Sequence, residues 1–549
     1  MRAEASNPFT LGVASGSPKD DSVVLWTRLA PDPLNGGGMG NAGDINIELE
    51  IAADPNFAAT LQRTRAVAEA RYAHSVHHVV TGLQPNTHYY YRFSHQGYTA
   101  TGRTRTAGDG NRDDVKFAFV NCQNLQEGFY PVYRDIAQDD ELDLVVHLGD
   151  YIYESTPSAG GPRQYKTKAP VDLASFRNRQ ADYRMDKDLQ AAHAAHPWIF
   201  TWDDHEVEND YAGSTSWYDQ PAFARKRAGS YQAYYEHMPL PPDFLQPKPF
   251  DNVTLFGNVP YGNLLQFLVL DVRQYRTVQP CGDRLTDCPE RYDFKNDILG
   301  PQQEAWLLSN LSTESPQWNV IANSIFMLEY DHDPSDSGES YYVDSWDGYI
   351  HSRKRLFEHL YNNRVPNPIV ISGDIHAAWV ADLKYHPDVP LEAFKRKDSV
   401  TIATELIGTS VTSTLSSSWT NTYRKALPKN PHVRYFDERP GGYVRCTVTP
   451  NNCRAEYKLA QNTADRLSPV KTVATFDVAA EGNPSIREGA TKVETLADVK
   501  LVEPEPDYRV VGWRWAEGYG SGKEGYWLLP RQLKLSDGTY IEFEQLKRG

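Results

Sequence analysis

The sequence predicts an α/β protein of several domains, and three observations lead to that prediction. Short apolar segments alternate with longer helical ones from about residue 115 to residue 405, which indicates a sheet with helices outside it. At 549 residues, the chain is longer than one ordinary hydrophobic core supports. The first hundred residues differ, because they contain strand and turn patterns with no helical periodicity.

Residues 8–108 are predicted to form a separate β-domain. Segment 22–29 has an apolar, β-branched middle, and segment 45–52 alternates apolar with polar residues, as strands with one buried face do. The spacing Leu-x-Pro-x-Thr-x-Tyr, which ends at Tyr89, resembles the corner of a fibronectin type III or immunoglobulin-like β-sandwich. In that corner, the tyrosine hydroxyl binds upstream backbone, so we expect the same of Tyr89.

A second domain is predicted over residues 113–485, followed by a C-terminal extension over 486–549. Its predicted strands are 115–121, the segment ending at Asp150, 264–270, 318–322, 368–371 and 400–405. Its predicted helices are 131–137, 172–193, 221–237, one that begins at Pro301, and 352–360. In the extension, a hairpin is predicted over 533–543 with an Asp-Gly turn.

Acids and histidines follow three of the short apolar strands. Asp150 follows one strand, Asp204 and His205 follow the next, and Asp374 and His376 follow the third. The carboxyl ends of strands in an open α/β sheet line one crevice, and carboxylates gathered there repel one another unless a cation lies between them. Taken singly, a strand-terminal aspartate is more often a helix cap, and a histidine is more often structural. Three such sites together predict a hydrolase built around metal ions.

Composition excludes some classes of protein. The formal net charge of -16 argues against a nucleic-acid-binding surface, which would need a basic stripe. No segment approaches the roughly 18 apolar residues of a membrane-spanning helix, so no transmembrane segment is predicted. The N-terminus lacks the apolar core of a leader peptide, which suggests a mature sequence whose leader has been removed.

The five cysteines point to an oxidising compartment. Cys281 and Cys288 bracket one short polar loop, and Cys446 and Cys453 bracket another, so two local disulfides are predicted, with reduced thiols as the alternative. Disulfides favour a periplasmic or secreted protein. Cys122 is left without a partner, and an odd thiol in an exported protein is a candidate for reactivity or metal binding.

Taken together, five motifs resemble those of the PhoD-like branch of the metallophosphoesterase superfamily. They lie at residues 121–123, 149–154, 202–206, 270–276 and 372–376. The resemblance covers most of residues 8 to about 480. It implies a four-layer αββα metallophosphoesterase domain behind the β-sandwich. It also implies a secreted alkaline phosphatase or phosphodiesterase, a group that includes some phospholipase D-type enzymes.

The resemblance further implies a metal centre with six ligands. An Fe³⁺ ion and one or two Ca²⁺ ions would be held by Cys122, Asp150, Tyr153, Asp204, Asp374 and His376. Cys122, Tyr153 and His376 would bind the iron, Asp150 would bridge it to the second ion, and Asp204 and Asp374 would hold the calcium. Thiolate and phenolate donors suit a transition metal and oxygen donors suit calcium, although Zn²⁺ or Mn²⁺ would also fit the site.

Three further residues are predicted to contact substrate. His205 would act as general acid to the leaving alkoxide or as a cationic stabiliser of the developing charge. Asn209 resembles the family position that binds a further cation or a phosphate oxygen, although an asparagine there is usually a turn former. Arg273 would fork onto phosphate oxygens, or else form a salt bridge with Asp271 or a neighbour.

The predicted reaction is hydrolysis of phosphate mono- or diesters by attack of a metal-activated hydroxide on phosphorus. A phospholipid substrate is the alternative within the family, with Tyr211, Trp217 and Tyr218 as candidate aromatics at the pocket mouth. A non-catalytic exported binding protein stabilised by calcium is the alternative outside it. The thiol, phenol and imidazole donors argue against that reading, because structural calcium sites use oxygen ligands. A metalloprotease is excluded, because no second histidine follows His205 in the HExxH spacing.

Overall fold

The computed structural model describes residues 6–480 apart from positions 111, 219, 245–249, 251–252, 283, 336, 389–390 and 392, together with four short strands beyond residue 490. The chain divides into two compact units, Met1–Val493 and Glu494–Gly549. Within the described residues, no helix combines the length and the apolar composition needed to cross a bilayer.

The first part of the chain is built from strands, as the turn-rich sequence predicts. In chain order they are β1 (Val13–Gly16), β2 (Val23–Arg28), β3 (Ile45–Ala52), β4 (Thr60–Ala68), β5 (Ser75–Val80), β6 (His88–His95) and β7 (Tyr98–Arg105). A four-stranded antiparallel sheet has the order β4-β3-β6-β7. The alternation predicted for β3 is confirmed, because Ile47, Leu49 and Ile51 all enter one core. Residues of β1, β2 and β5 also enter that core, among them Val13, Leu25 and Val76.

The predicted tyrosine corner is present. The backbone N–H of Gln84 donates to the hydroxyl of Tyr89 at 2.8 Å. Tyr89 is buried in the core described above. The hydroxyl therefore ties the start of β6 to the backbone five residues upstream, as the spacing of the motif predicts.

The rest of the first unit contains the remaining strands of the two large sheets and one small pair. In chain order they are β8 (Val115–Val120), β9 (Leu144–His147), β10 (Pro197–Phe200), β11 (Gly257–Tyr261), β12 (Leu265–Val269), β13 (Leu285–Thr286), β14 (Trp318–Ala322), β15 (Tyr341–Tyr342), β16 (Pro368–Ser372), β17 (Ala378–Tyr385), β18 (Val400–Ile407), β19 (Val433–Asp437), β20 (Gly442–Val448), β21 (Asn452–Ala460), β22 (Val470–Ala479) and β23 (Thr491–Lys492). Each strand predicted from an apolar run is confirmed within a residue or two.

Two large sheets pack face to face. One has ten strands in the order β23-β22-β21-β20-β8-β9-β10-β1-β2-β5, and the other has seven in the order β11-β12-β14-β16-β18-β17-β19. In the first sheet β8, β9 and β10 are parallel, and in the second β12, β14, β16 and β18 are parallel. Phe117 of β8 meets Phe267 of β12 edge to face, with ring centroids 5.0 Å apart. All the predicted site residues follow the carboxyl ends of these parallel strands or of the strand next to them.

The strands of the first 108 residues also share a sheet with the rest of the chain. β1 pairs in parallel with β10, through Ser15 with Pro197 and Gly16 with Trp198. A Cβ atom on Gly16 would lie 2.5 Å from the carbonyl oxygen of Pro239, so only glycine permits this approach. Residues 8–108 are therefore continuous with the larger sheet, a pairing that the sequence did not indicate. The domain boundary at 108–113 stays a prediction.

Helices cover the outer faces of both sheets. They are α1 (Pro131–Gln138), α2 (Leu173–Arg184), α3 (Lys187–Ala195), α4 (Gln220–His237), α5 (Gly300–Ser309), α6 (Ile350–Asn362) and α7 (Ser417–Ala426). Residues of α1 to α4 share a core with β8, β9 and β10, and residues of α5 to α7 share another with β12, β14 and β16. The sequence analysis did not predict α7, although Trp419, Tyr423 and Ala426 give it an apolar face at helical spacing.

The helix predicted over 172–193 is in fact two helices. The carboxylate of Asp186 accepts hydrogen bonds from the N–H groups of Asp188 at 2.9 Å and Leu189 at 3.0 Å. It therefore caps a new helix where a single one was predicted to continue. The signal was in the sequence, since aspartate is among the preferred N-cap residues.

One of the two predicted disulfides is formed. Cys281 is bonded to Cys288, whereas Cys446 and Cys453 are buried free thiols, so the second prediction is wrong. On the paired strands β20 and β21, Cys446 lies opposite Ala455 and Cys453 lies opposite Val448. The two cysteines are thus diagonal neighbours, and diagonal Cα atoms are typically about 7–8 Å apart, slightly farther than the roughly 4.4–6.8 Å that most disulfides span. Their thiols are in contact but not bonded.

The described residues of the second unit form a small antiparallel sheet. Its strands are β24 (Val510–Arg514), β25 (Gln532–Leu535) and β26 (Tyr540–Glu542). The predicted hairpin is confirmed in its two strands, since Leu533 pairs with Ile541 and Lys534 pairs with Tyr540. Its predicted Asp-Gly turn lies outside the described residues, as does most of the extension predicted at 486–549.

Candidate metal centre

Four of the six predicted metal ligands have a left-handed backbone. The φ angles are 54° at Cys122, 55° at Asp150, 70° at Asp374 and 51° at His376. Non-glycine residues seldom adopt this region, and such strain is concentrated at functional sites. The four residues lie in the short segments that follow β8, β9 and β16, at the carboxyl edge of the two sheets.

Gly149 allows two of these strand ends to approach each other. Its φ is +107°, and a Cβ atom there would lie 2.6 Å from the Cβ of Asp203. The segment after β9 therefore packs directly against the segment after β10. This approach brings Asp150 next to Asp204, with ligand atoms of the two residues within 4.8 Å.

A first group of donor atoms surrounds one point. One ligand atom each from Cys122, Asp150 and His376 lies within 4.8 Å of the others. The phenol oxygen of Tyr153 lies 2.9 Å from Oδ2 of Asp150 and 3.1 Å from Nε2 of His376. The four residues predicted to hold iron, which come from three distant segments of the chain, are thus brought together.

A second group shares Asp150 with the first. Ligand atoms of Asp150, Asp204 and His205 also lie within 4.8 Å of one another. Asp150 is therefore positioned to bridge two ions, which is the role predicted for it. Asp374 belongs to neither group of described residues at this distance, although its charge is close enough to act on the pKa of Cys122. Its role as a ligand stays a prediction.

The electrostatics of this cluster favour a bound cation. Burial, followed by the charges of Asp150 and Asp374, raises the pKa of the Cys122 thiol well above its ordinary value. Burial raises the pKa of Asp150 and of Asp374 in the same way, with neighbouring carboxylates adding to the effect. A cation among them would reverse these shifts. Thiol, phenol, imidazole and carboxylate donors form a set that fits a transition metal beside a harder ion.

His205 is held between a carboxylate and an aromatic ring. Its Nδ1 lies 2.8 Å from Oε2 of Glu154, and its ring stacks on that of Tyr153 with centroids 4.3 Å apart. Burial acts to lower the pKa of His205, but the charges of Asp204 and Glu154 outweigh it and raise that pKa well above its ordinary value. Because Glu154 occupies Nδ1, the other ring nitrogen is the one available to substrate.

The sequence did not assign roles to two glutamates beside the site, the partly buried Glu154 and the fully buried Glu206. Glu154 also accepts from the backbone N–H of Asn209 at 2.9 Å. Glu206 accepts from the N–H groups of Asp150 at 3.0 Å and Asp203 at 2.8 Å. The two carboxylates therefore fix the backbone that carries the predicted ligands. Glu154 and Glu206 lie within the motifs at 149–154 and 202–206, and this position in the sequence is the feature that could have marked them as part of the site.

Arg273 is fully buried and faces carboxylates. Its Nε donates to Asp203 and its Nη1 donates to Asp344 at 3.0 Å, while Nη2 lies 3.9 Å from Oδ1 of Asp204. Of the two predicted roles, the salt bridge to neighbouring residues is therefore present. Asp271 is not one of its partners, because the Asp271 carboxylate accepts from the backbone N–H of Arg273 and not from its side chain. Contact with phosphate stays a prediction, and Nη2 is the group left for it.

Replacing Arg273 with methionine is expected to destabilise the protein. The change removes the arginine partner of the buried Asp203 and one of the two that Asp344 has, since Arg276 still pairs with Asp344. Leaving a buried charge without its partner costs about 3–5 kcal/mol. Denaturation by urea, followed by circular dichroism, measures the loss. Arg454→Met is the matched control, because Arg454 and its partner Asp477 are 55% and 38% exposed and the pair contributes about 0–1 kcal/mol. Equal stability of the two variants would contradict the assignment.

The loop after His205 carries the remaining predicted contacts. The Nδ2 group of Asn209 lies 3.4 Å from the hydroxyl of Tyr218, and its function stays a prediction. The prediction that Tyr211 lies at the pocket mouth is wrong, because Tyr211 is buried and its hydroxyl lies 3.1 Å from that of Tyr231. Trp217 and Tyr218 are 43% and 68% exposed, as a role at the surface requires.

Comparison with known proteins identifies relatives over most of the chain. Residues 117–457 match the family model of PhoD-like phosphatase, and residues 1–108 match that of the PhoD-like phosphatase N-terminal domain. Alkaline phosphatase D of Bacillus subtilis (strain 168) is 41% identical over 485 residues, which cover 86% of this chain and 81% of that protein. A solved structure of PhoD is 39% identical and superposes with a TM-score of 0.81, covering 88% of this chain and 92% of that chain.

Proposed function

Because this chain belongs to the PhoD-like phosphatase family, we propose that it is a metal-dependent enzyme that hydrolyses phosphate mono- or diesters. The single observation that carries the proposal is the pair of donor groups that share Asp150. A phosphoric ester hydrolase is also what the 41% identity to an alkaline phosphatase supports.

The donor atoms suggest which ion goes where. We assign Fe³⁺ to Cys122, Tyr153 and His376, with Asp150 shared, and Ca²⁺ to Asp204 and Asp374. Soft and electron-rich donors favour a transition metal, whereas carboxylates favour calcium. Cations bound there would lower the pKa of water and neutralise charge that develops on the phosphoryl oxygens.

His205 is the residue that we propose for proton transfer to the leaving oxygen. Its Nδ1 lies 2.8 Å from Glu154, and the raised pKa of His205 keeps the ring in its imidazolium form, so Nε2 carries a second proton that can be donated. The same geometry serves the alternative role, in which a charged imidazolium stabilises negative charge on the phosphoryl group. Arg273 is proposed to act by orienting Asp203 and Asp204, because Nε and Nη1 pair with Asp203 and Asp344 and Nη2 lies 3.9 Å from Asp204.

A phospholipid or other diester with an apolar group is the second candidate substrate. It is favoured by the exposed rings of Trp217 and Tyr218 beside Asn209. We also propose that the protein is exported, which the bond between Cys281 and Cys288 supports. For residues 113–485, we propose the four-layer αββα arrangement, supported by the two helical cores and the shared core between the sheets.

The test is a panel of phosphate esters combined with elemental analysis. Purified protein is expected to hydrolyse nitrophenyl phosphate, bis-nitrophenyl phosphate or phosphatidylcholine vesicles at alkaline pH, and to lose that activity when a chelator removes its metals. Restoring the metals restores activity. A visible charge-transfer band together with iron and calcium in the active protein would support the assignment of ions. Zinc or manganese in a colourless active protein would support the alternative ions, and turnover that survives complete metal removal would refute the proposal.

A further inference from the structure

The hydroxyl of Ser413 lies beside the phenol oxygen of Tyr153. The two oxygens are 2.7 Å apart, and Ser413 Oγ also lies 2.9 Å from the carbonyl oxygen of Cys122. Ser413 is buried and follows β18, far along the chain from either partner. The five motifs do not include it, so nothing in the sequence singled it out.

The phenol oxygen of Tyr153 has three polar neighbours among the described residues. They are Asp150 Oδ2 at 2.9 Å, His376 Nε2 at 3.1 Å and Ser413 Oγ at 2.7 Å. The first two belong to proposed ligands, whose electron pairs face the ion when it is bound. Only the Ser413 hydroxyl can then donate a hydrogen bond to the phenolate.

The backbone around Ser413 fixes this hydroxyl in place. The N–H of Ser413 donates to the carbonyl of Cys122 at 3.2 Å, and the hydroxyl of Ser410 donates to the carbonyl of Ser413. The hydroxyl of Thr412 donates to the carbonyl of Asn124 at 2.7 Å. The loop after β18 is therefore bound to the Cys122 segment, and the Ser413 side chain needs no rearrangement to reach Tyr153.

We propose that Ser413 donates a hydrogen bond to the Tyr153 phenolate in the metal-loaded protein and thereby strengthens iron binding. This inference rests on the proposed function, in which Tyr153 is an iron ligand. When the phenol loses its proton to solvent on metal binding, the Ser413 hydrogen turns from the Cys122 carbonyl to the phenolate oxygen. Hydrogen bonds to a charged acceptor are roughly twice as strong as neutral ones, so the phenolate is the preferred partner. Ser413 is thus a positioning residue for the metal ligand.

The inference predicts that Ser413→Ala weakens iron binding. Losing a hydrogen-bonding partner of a metal ligand typically costs about 10- to 100-fold in metal affinity, and that is the expected loss. Metal-free protein is titrated with Fe³⁺ against a competing chelator, and the visible spectrum is recorded at each step. Without its donor, the phenolate holds its electrons less tightly, so the charge-transfer band is expected to move to longer wavelength.

Two further variants separate the hydroxyl from the loop. Ser413→Thr keeps the donor and is expected to restore both affinity and band. Ser410→Ala removes a hydroxyl from the same loop without touching the phenolate, and is expected to leave the band unchanged. Wild-type affinity and spectrum in Ser413→Ala would overturn the inference, as would equal losses in Ser413→Ala and Ser410→Ala with no shift of the band.

The same experiment distinguishes this inference from the proposed function. If the wild-type protein binds no iron and has no band, the role of Ser413 falls together with the iron assignment. Hydrolysis by the same sample when loaded with zinc or manganese would show that the phosphoesterase activity stands without it. If wild-type protein binds iron yet hydrolyses no ester, the role of Ser413 stands and the proposed function fails.

Discussion

Replacing Asp204 with asparagine is expected to abolish hydrolysis of phosphate esters while the protein stays folded. Asp204 accepts from the N–H groups of His205 at 2.9 Å and Asp210 at 2.7 Å, and an amide oxygen can retain one of these contacts. Burial acts to raise the pKa of Asp204, but the positive charges of His205 and Arg273 lower it below its ordinary value. The carboxylate is therefore charged at neutral pH, and asparagine removes the charge that a cation requires.

The expected loss in kcat is more than about 100-fold, beyond what removal of a ligand's hydrogen-bonding partner costs. Steady-state kinetics with nitrophenyl phosphate and metal analysis of the same sample measure it. Asp374→Ala is expected to give a similar loss, which would establish a ligand role that geometry leaves open. Asp477→Asn is the control, since this partly exposed carboxylate lies on β22, away from the site. Wild-type turnover in Asp204→Asn would refute the metal centre.

Replacing His205 with glutamine is expected to lower kcat by about 10²–10⁴-fold, which is the usual contribution of a general acid. The variant is expected to keep its bound metal. Its imidazole, which lies 2.8 Å from Glu154, is the proton donor that we propose. Glutamine is uncharged and cannot transfer a proton, although it keeps hydrogen-bonding capacity. Turnover and metal content, compared between the variant and the wild-type protein, give the result.

The choice of leaving group separates the two roles of His205. A general acid matters most for a poor leaving group, so the loss in His205→Gln is expected to be larger for phenyl phosphate than for nitrophenyl phosphate. A cationic stabiliser would give equal losses for the two esters. His351→Gln serves as the control, because His351 lies on α6 with its Nε2 3.0 Å from the carbonyl oxygen of Tyr292, outside both donor groups. A large loss in the control, or none in His205→Gln, would contradict the assignment.

Local sequence predicted most of the fold. Apolar runs marked β8, β9, β12, β14, β16 and β18 within a residue or two, because a strand buried on both faces must be apolar throughout. The spacing around Tyr89 predicted its hydrogen bond to Gln84. Where the predicted elements are wrong, the cause is also local. Asp186 divides the helix predicted over 172–193 into two, because its carboxylate caps a new helix, and the apolar pattern alone did not reveal this.

Contacts between distant segments were not predictable in the same way. The pairing of β1 with β10 depends on the close approach at Gly16, and nothing in either strand marks the other as its partner. Tyr211 lies in a polar segment, which suggested an exposed aromatic. Its ring instead packs in the interior against that of Phe223. Cys446 and Cys453 have the spacing of a disulfide, but the register of β20 and β21 makes them diagonal.

The sequence by itself determined the kinds of chemical group at the strand ends, the order of the strands that carry them, and the family that those motifs resemble. These features depend on residues close together in the chain. Only the tertiary structure decided that Asp150 is shared by two donor groups, that Arg273 faces Asp203 and Asp344, and that Ser413 reaches Tyr153. Such contacts are set by how whole sheets and loops pack, and a one-residue change in register or turn would redirect them without altering any local pattern.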